Sequence, residues 1–358
     1  MNIIAGILIT INILNIAIFE IKNIGNNQVA TIDLLQEKTS NIKDNSTSPD
    51  IYFILLDEFA SLDTIKEIYH HVNSPLENFL REKNFFIATK SKTDSSNTWH
   101  VLPERLNMME IEKNLPTKKV FNLVLNNKAA KYLKSKGYKY VYISDRQIND
   151  GQYINPYSDV NLTDLEPKSK YIGIKASSFE SMLIETSILR MYYYKRIENG
   201  EIHQKKELLK IDAVKKAIDI QAPKFVFSHH LISHAPFPFG ENGEIVEKKD
   251  QYDWQNKNIY LGTYIFTENQ IIDLVSEILA KSKTPPIIII QSDHGPRGGQ
   301  GKNDNPKKLN MGYEWSKVFN AYYFPDQNYK ELSDSIDPIN TFPIIFNQYF
   351  NEDFKLIK

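Results

Sequence analysis

Apolar and polar positions along this chain follow two periods. Short, nearly continuous apolar runs recur as IYFILL from Ile51, FFIATK from Phe85, YKYVYISD ending at Asp145, FVFSHHL from Phe225, PPIIIIQSDHG and KVFNAYYFP. Between them lie longer stretches with apolar residues at helical spacing. Ser74 as N-cap and Pro75 as first helical residue predict a helix to Glu82. AAKYLKSKGY, Phe179–Arg196, Lys206–Ile220 and Ile259–Ser282 read as further helices. Strands without polar alternation, separated by helices, predict an α/β domain with a largely parallel central sheet covered by helices on both faces. In such sheets ligands bind at the carboxyl ends of the strands.

The first residues follow neither period. From Asn2 to Phe19 the chain carries no charge, and Glu20 and Lys22 close the stretch. That length suits one transmembrane helix, either a single anchor or the last span of a larger membrane domain. A cleaved signal peptide fits less well, because a basic n-region is missing and the apolar run is long. A buried core helix is disfavoured by the lack of a polar face. The polar Asn-, Thr- and Ser-rich stretch that follows reads as a tether. The expected organisation is therefore an anchor over 1–21, a linker over 22–49 and a catalytic domain over 50–358.

Composition narrows the chemistry. The 358 residues include no cysteine, which excludes disulfides, thiolate metal sites and cysteine nucleophiles. A formal net charge of −1 gives no field for nucleic acid. Of eight histidines, four stand at or just beyond strand ends: His229, His230, His234 and His294. The first strand also delivers Asp57 and Glu58, and the run before Gly295 delivers Asp293 and His294. Carboxylates with imidazoles at converging strand tips form a ligand mixture for zinc or manganese, or for magnesium if further oxygens join. Each residue also has a plainer reading. An Asp after a strand often caps a helix, and His230 alternates away from its neighbours into packing. Glu58 reads equally as a supporting acid or a solvated one. Gly295 suits a sharp backbone turn. The segment KTDSSNTWHVLPERLNMM leads hydroxyl residues into a helix, where free N–H groups favour an anion. Thr93, Ser95, Ser96 and Thr98 compete there as nucleophiles on chemistry alone, and an ordinary N-cap loop is the plainer reading.

PDIYFILLDEF, SSNTWHVLPERLNM, FVFSHHLISHAPF, IIIIQSDHGPR, FNAYYFP and INTFPIIFNQYF, in this order, resemble the sulfatase-like hydrolase/transferase family of the alkaline phosphatase superfamily. Its relatives include lipoteichoic acid synthases and phosphoethanolamine transferases. The resemblance spans nearly all of Asp50 to Phe354 and implies an alkaline phosphatase/sulfatase-like sandwich. It implies Asp57, Asp293 and His294 as ligands of one divalent metal, with Thr98 as nucleophile and further ligand. It assigns His234 to the phosphate or leaving group, His229 to its support, and Arg297 to phosphate oxygens. It further implies transfer of a phospho-head-group, of phosphoglycerol or phosphoethanolamine type, from a membrane lipid donor to a surface glycan or other alcohol. The alternatives are a phosphodiesterase or phosphatase using the same site, and a catalytically silent protein binding glycans or partners. The implied setting is the cell membrane, single-pass, with the catalytic domain outside the cytoplasm. Two places depart from the family pattern. Glu58 stands where relatives have a small residue, and Trp99, His100, Pro103, Glu104 and Arg105 replace small and apolar residues. True sulfatases need Cys or Ser in C/S-x-P-x-R, and Val101 occupies that place here.

Overall fold

The run IYFILL forms β1 (Ile51–Leu56), buried on both faces along its whole length, as an unbroken apolar strand requires. It lies at the centre of a seven-stranded sheet. The other strands are β2 (Phe86–Ile87), β3 (Lys139–Ile143), β4 (Val160–Asn161), β5 (Lys224–His230), β6 (Ile287–Ser292) and β7 (Asn320–Tyr323). Their order is β2-β7-β6-β1-β5-β3-β4. β1 pairs in parallel with both β5 and β6, and β3 extends that side in parallel. β7 runs antiparallel to β6 and closes the sheet toward β2.

The computed structural model describes residues 48–144, 155–162, 200–221, 223–298 and 308–357. They fall within one compact unit, Asp44–Pro167 with Glu198–Lys358. The expected anchor, most of the linker and the helix expected over Phe179–Arg196 lie outside the described residues. Among the described residues, no helix is long and apolar enough to cross a membrane.

Eight helices are described: α1 (Leu62–Tyr69), α2 (Pro75–Glu82), α3 (Thr98–Asn107), α4 (Thr117–Leu125), α5 (Lys128–Ser135), α6 (Gly200–Ala217), α7 (Lys257–Lys281) and α8 (Thr341–Phe350). Strand parity sorts them onto two faces. Even-numbered residues of β1 and β6 (Tyr52, Ile54, Ile288, Ile290) pack with α1, α2, α6 and α7. Odd-numbered ones (Ile51, Phe53, Leu55, Ile287, Ile289) pack with α3, α4, α5 and α8. Phe53 alone meets Phe227 and Phe342 with ring centroids 5.8 and 5.6 Å away. Ser74 caps α2 as its sequence predicts, Oγ accepting from the Glu77 N–H at 2.9 Å, and Pro75 opens the helix.

The strand expected over FFIATK shortens to two residues. Asp334 Oδ1 accepts from both the N–H and the Oγ1–H of Thr89, which draws the chain off the ladder. Gly295 also differs from its sequence reading. A Cβ there would lie 2.4 Å from the Glu314 carbonyl oxygen, so close approach, rather than a sharp turn, demands glycine.

Candidate active site

Strand register brings the two acids together. Leu56 pairs with Ser292 as the last rung between β1 and β6, and Asp57 and Asp293 each follow by one residue. Both continue the odd-numbered face, where α3 packs, and both are fully buried. His229 sits on the neighbouring β5 with the same parity, its Nε2 3.2 Å from Asp57 Oδ2. His230 takes the opposite parity and is buried on the other face of the sheet.

α3 brings the hydroxyl. Asn97 caps it, with Oδ1 3.0 Å from the Trp99 N–H, and Thr98 is its first helical residue. Thr98 Oγ1 donates to Asp293 Oδ2 at 2.5 Å and lies 3.3 Å from Asp57 Oδ2. None of Thr93, Ser95 or Ser96 forms a described bond to these acids. Arg105 lies on the same helix face two turns on. It is buried, and its guanidinium donates to the carbonyls of Ser292 at 2.7 Å and Asp293 at 3.0 Å. Its complete burial lowers its pKa against the pull of Asp293. Arg105 therefore fixes the end of β6 that carries Asp293.

His294 supplies the strongest indication of a cation. Its Nδ1 faces the Gly295 carbonyl at 2.8 Å and so carries the proton. Nε2 then presents a lone pair, is buried, and has no hydrogen-bond partner among the described residues. Asp293 Oδ2 stands 3.4 Å from it and Asp57 Oδ1 3.9 Å. Three acceptors facing one another inside a protein repel unless a cation lies between them. Asp57, Asp293 and His294 offer donor atoms all within 4.8 Å of one another. A tetrahedral site with bonds of about 2.0–2.2 Å separates its ligands by roughly 3.3–3.6 Å. The residues present fit a divalent ion, and the donor set suits zinc or manganese.

The remaining residues form a second layer. Asp57 has its carbonyl held by Ser233 Oγ at 2.7 Å. Glu58, 1% exposed, accepts from the Arg297 N–H at 2.9 Å and from Arg297 Nε at 3.2 Å. Arg297 Nη2 lies 3.0 Å from His234 Nε2, and His234 Nδ1 lies 2.5 Å from the Ala235 carbonyl. Nδ1 therefore holds the proton of His234, and Arg297 donates to Nε2. Burial opposes the Arg297 charge, but Glu58 together with Asp57 and Asp293 raises the pKa above the ordinary arginine value. Glu58 is thus neither solvated nor among the clustered donors.

Sequence reasoning missed Ser233 and Tyr260, whose hydroxyl bridges the Glu58 carbonyl and the Ala60 N–H, each at 2.9 Å. Neither belongs to a motif, and only the fold reveals them. The unusual residues of α3 turn largely to packing. Trp99 meets Phe121 edge-on at 4.4 Å, Glu104 accepts from the Ile111 N–H at 3.0 Å, and the helix runs through Pro103.

No model of a known protein family matches the chain, and no curated protein matches it. Solved structures do. The C-terminal periplasmic domain of EptC from Escherichia coli aligns over 87% of this chain and 86% of its own, with TM-score 0.56 and 11% identity. The same domain is also known in complex with zinc, at TM-score 0.55, 11% identity and the same coverage. The integral membrane lipooligosaccharide phosphoethanolamine transferase A from Neisseria meningitidis aligns over 94% of this chain and 61% of its own, with TM-score 0.54 and 10% identity. The lipoteichoic acid synthase LtaP from Listeria monocytogenes aligns over 88% and 77%, with TM-score 0.54 and 12% identity. At such identities the likeness establishes the fold: a mixed α/β fold of the alkaline phosphatase/sulfatase type.

Proposed function

We propose that this chain is a metal-dependent phosphotransferase. It moves a phospho-head-group from a membrane lipid to a surface glycan or other alcohol through a phosphothreonine at Thr98. The observation that carries the reading is the buried meeting of Thr98 Oγ1, two carboxylates just beyond the last rung and the His294 Nε2 lone pair. The fold shared with transferases of phospho-head-groups supports it as analogy.

Asp57, Asp293 and His294 would hold one divalent ion, with Thr98 Oγ1 beside it. When bound, the ion lowers the pKa of the hydroxyl and neutralises charge on phosphoryl oxygens. Thr98 Oγ1 attacks phosphorus, and Asp293 Oδ2 accepts its proton. The bond from phosphorus to the departing alcohol breaks, and that oxygen leaves with the proton given up by Thr98, passed on by way of His234 Nε2. In the second half, neutral His234 takes the proton of the acceptor alcohol. The acceptor oxygen attacks phosphorus, and the threonine oxygen leaves and recovers its proton. His229 orients Asp57, and Arg297 meets phosphoryl oxygens. Water in place of the acceptor makes the same site a phosphodiesterase.

The uncharged stretch from Asn2 to Phe19 supports a membrane anchor, and the fold shared with a periplasmic domain supports, as analogy, a catalytic domain outside the cytoplasm. Cell fractionation tests it: the full chain should sediment with membranes, and deletion of 2–19 should release it.

The mechanism is tested by incubating the protein with manganese and labelled phospholipid donors, then measuring intact mass. A head-group phosphate adduct on wild type, absent from Thr98→Ala, is expected. Metal binding without an adduct from any donor would overturn transfer through Thr98.

A further inference from the structure

We propose that Glu58 is a positioning residue that clamps Arg297 and so shapes the anion-binding side of the site. The proposal rests on the phosphoryl-transfer reading above and assigns a specific role to a residue outside the clustered donors.

The backbone at Glu58 gives the first observation. Its φ is +60°, in the left-handed region that side chains other than glycine adopt at a cost. The turn is held from several sides. The Glu58 N–H donates to Asp293 Oδ1 at 3.0 Å, and its carbonyl accepts from Tyr260. A glycine would take this conformation without strain. A carboxylate that keeps an unfavourable backbone and near-complete burial calls for a compensating interaction, and Arg297 supplies it.

The second observation is how that interaction is spent. Oε1 accepts from both the main chain and Nε of Arg297, fixing the root and the elbow of one side chain. The guanidinium is thereby aimed at His234, with Nη2 on its Nε2. Nη1 has no hydrogen-bond partner among the described residues. Glu58 Oε2 lies 3.8 Å from His234 Nε2, so acid, guanidinium and imidazole form one packed group beside Asp57. A guanidinium held by Nε keeps its Nη edge for a second planar or tetrahedral oxyanion. An incoming phosphoryl group can therefore take Nη1 and displace His234 from Nη2. Holding the side chain in place removes ordering cost from binding.

The test uses the full-length protein in detergent, loaded with manganese, and inorganic phosphate as probe by calorimetry. Glu58→Gly is expected to fold, because relief of the backbone strain offsets the lost pairing with Arg297. It should nevertheless bind phosphate about tenfold more weakly, with the kinetic loss on a chromogenic phosphodiester falling on KM more than kcat. Glu58→Gln, whose Oε1 still accepts, should recover most of that affinity. Arg297→Ala and the double variant Glu58→Gly/Arg297→Ala should bind phosphate equally, because the clamp acts only through Arg297. Phosphate affinity in Glu58→Gly within twofold of wild type, additive losses in the double variant, or no phosphate binding by wild type would each overturn the proposal. Absence of a Thr98 adduct, with the phosphate results as expected, would remove the transfer mechanism and leave the clamp standing.

Discussion

At the scale of single residues, the side chains that meet in the cluster are the ones most visible in the sequence. A carboxylate or imidazole directly after an apolar strand has few places to go but the strand's carboxyl end. That position alone marks Asp57, Asp293 and His294 as candidates. Thr98 is harder to single out, because four hydroxyl residues precede or open one helix. The fold separates them by where the helix begins: Thr93, Ser95 and Ser96 precede the cap at Asn97, and Thr98 occupies the first helical position facing the two acids. Its proposed role as nucleophile sets the first prediction. Thr98→Ser keeps the attacking oxygen but loses the β-branch that stiffens χ1. Adduct formation in Thr98→Ser should therefore persist at a rate about tenfold lower, whereas Thr98→Ala should lose at least about 10³-fold in turnover. Time-resolved intact mass separates these outcomes. Equal loss in both variants would mean that the oxygen of Thr98 does not attack.

At the scale of elements, the parallel core is legible because β1, β5 and β6 are apolar on both faces, which only a doubly covered sheet tolerates. The antiparallel direction of β7 is not, since hydrophobic pattern carries no strand polarity. α1, α4 and α8 also escape the pattern, being short or lying beside stronger signals. Two buried charged groups away from the cluster give predictions of stability. Lys224 and Asp50, buried at the opposite end of β5 and β1, pair at 2.6 Å, and Lys224 Nζ also donates to the carbonyls of Ile218 and Ile220. Removing one partner strands the other charge in the core. Asp50→Ala should cost about 3–5 kcal/mol in urea unfolding, with metal binding by the folded fraction retained. Glu268 on α7 is buried against α2, where Ser74 Oγ donates to it and His71 Nε2 approaches it at 3.0 Å. Burial raises its pKa above the ordinary value of 4.5 despite these partners. A folded-state pKa above the unfolded one means stability is fully present below pH 4.5 and is lost as pH rises through the folded value. Glu268→Gln should therefore flatten the decline in urea midpoint above pH 4.5 relative to wild type. An unchanged slope would show that Glu268 does not titrate with a raised pKa.

At the scale of the whole molecule, the cluster joins parts of the chain that are far apart in sequence: the ends of β1 and β6 and the start of α3. Packing alone brings two carboxylates together one residue beyond the last rung, and that proximity opposes folding until a cation lies between them. On the proposed reading, metal binding and global stability are thus coupled with a definite sign. At free metal about 100 times its dissociation constant, binding adds about 2.7 kcal/mol to the folded state. For a domain of this size that corresponds to a rise in Tm of roughly 5 °C. Asp57→Asn changes both ends of the balance. It removes one of the facing charges, so the chelated variant should melt above chelated wild type. It also removes a ligand, so added manganese or zinc should no longer raise its Tm. The two melting curves therefore cross: wild type is the less stable protein in chelator and the more stable one in metal. Calorimetric melts of both proteins in each condition read this directly. An equal rise of both proteins in metal would mean that Asp57 does not hold the ion, and a chelated variant melting no higher than chelated wild type would mean that Asp57 does not repel Asp293. A crossing would place the stability lost by building the cluster in the same residues that propose its function.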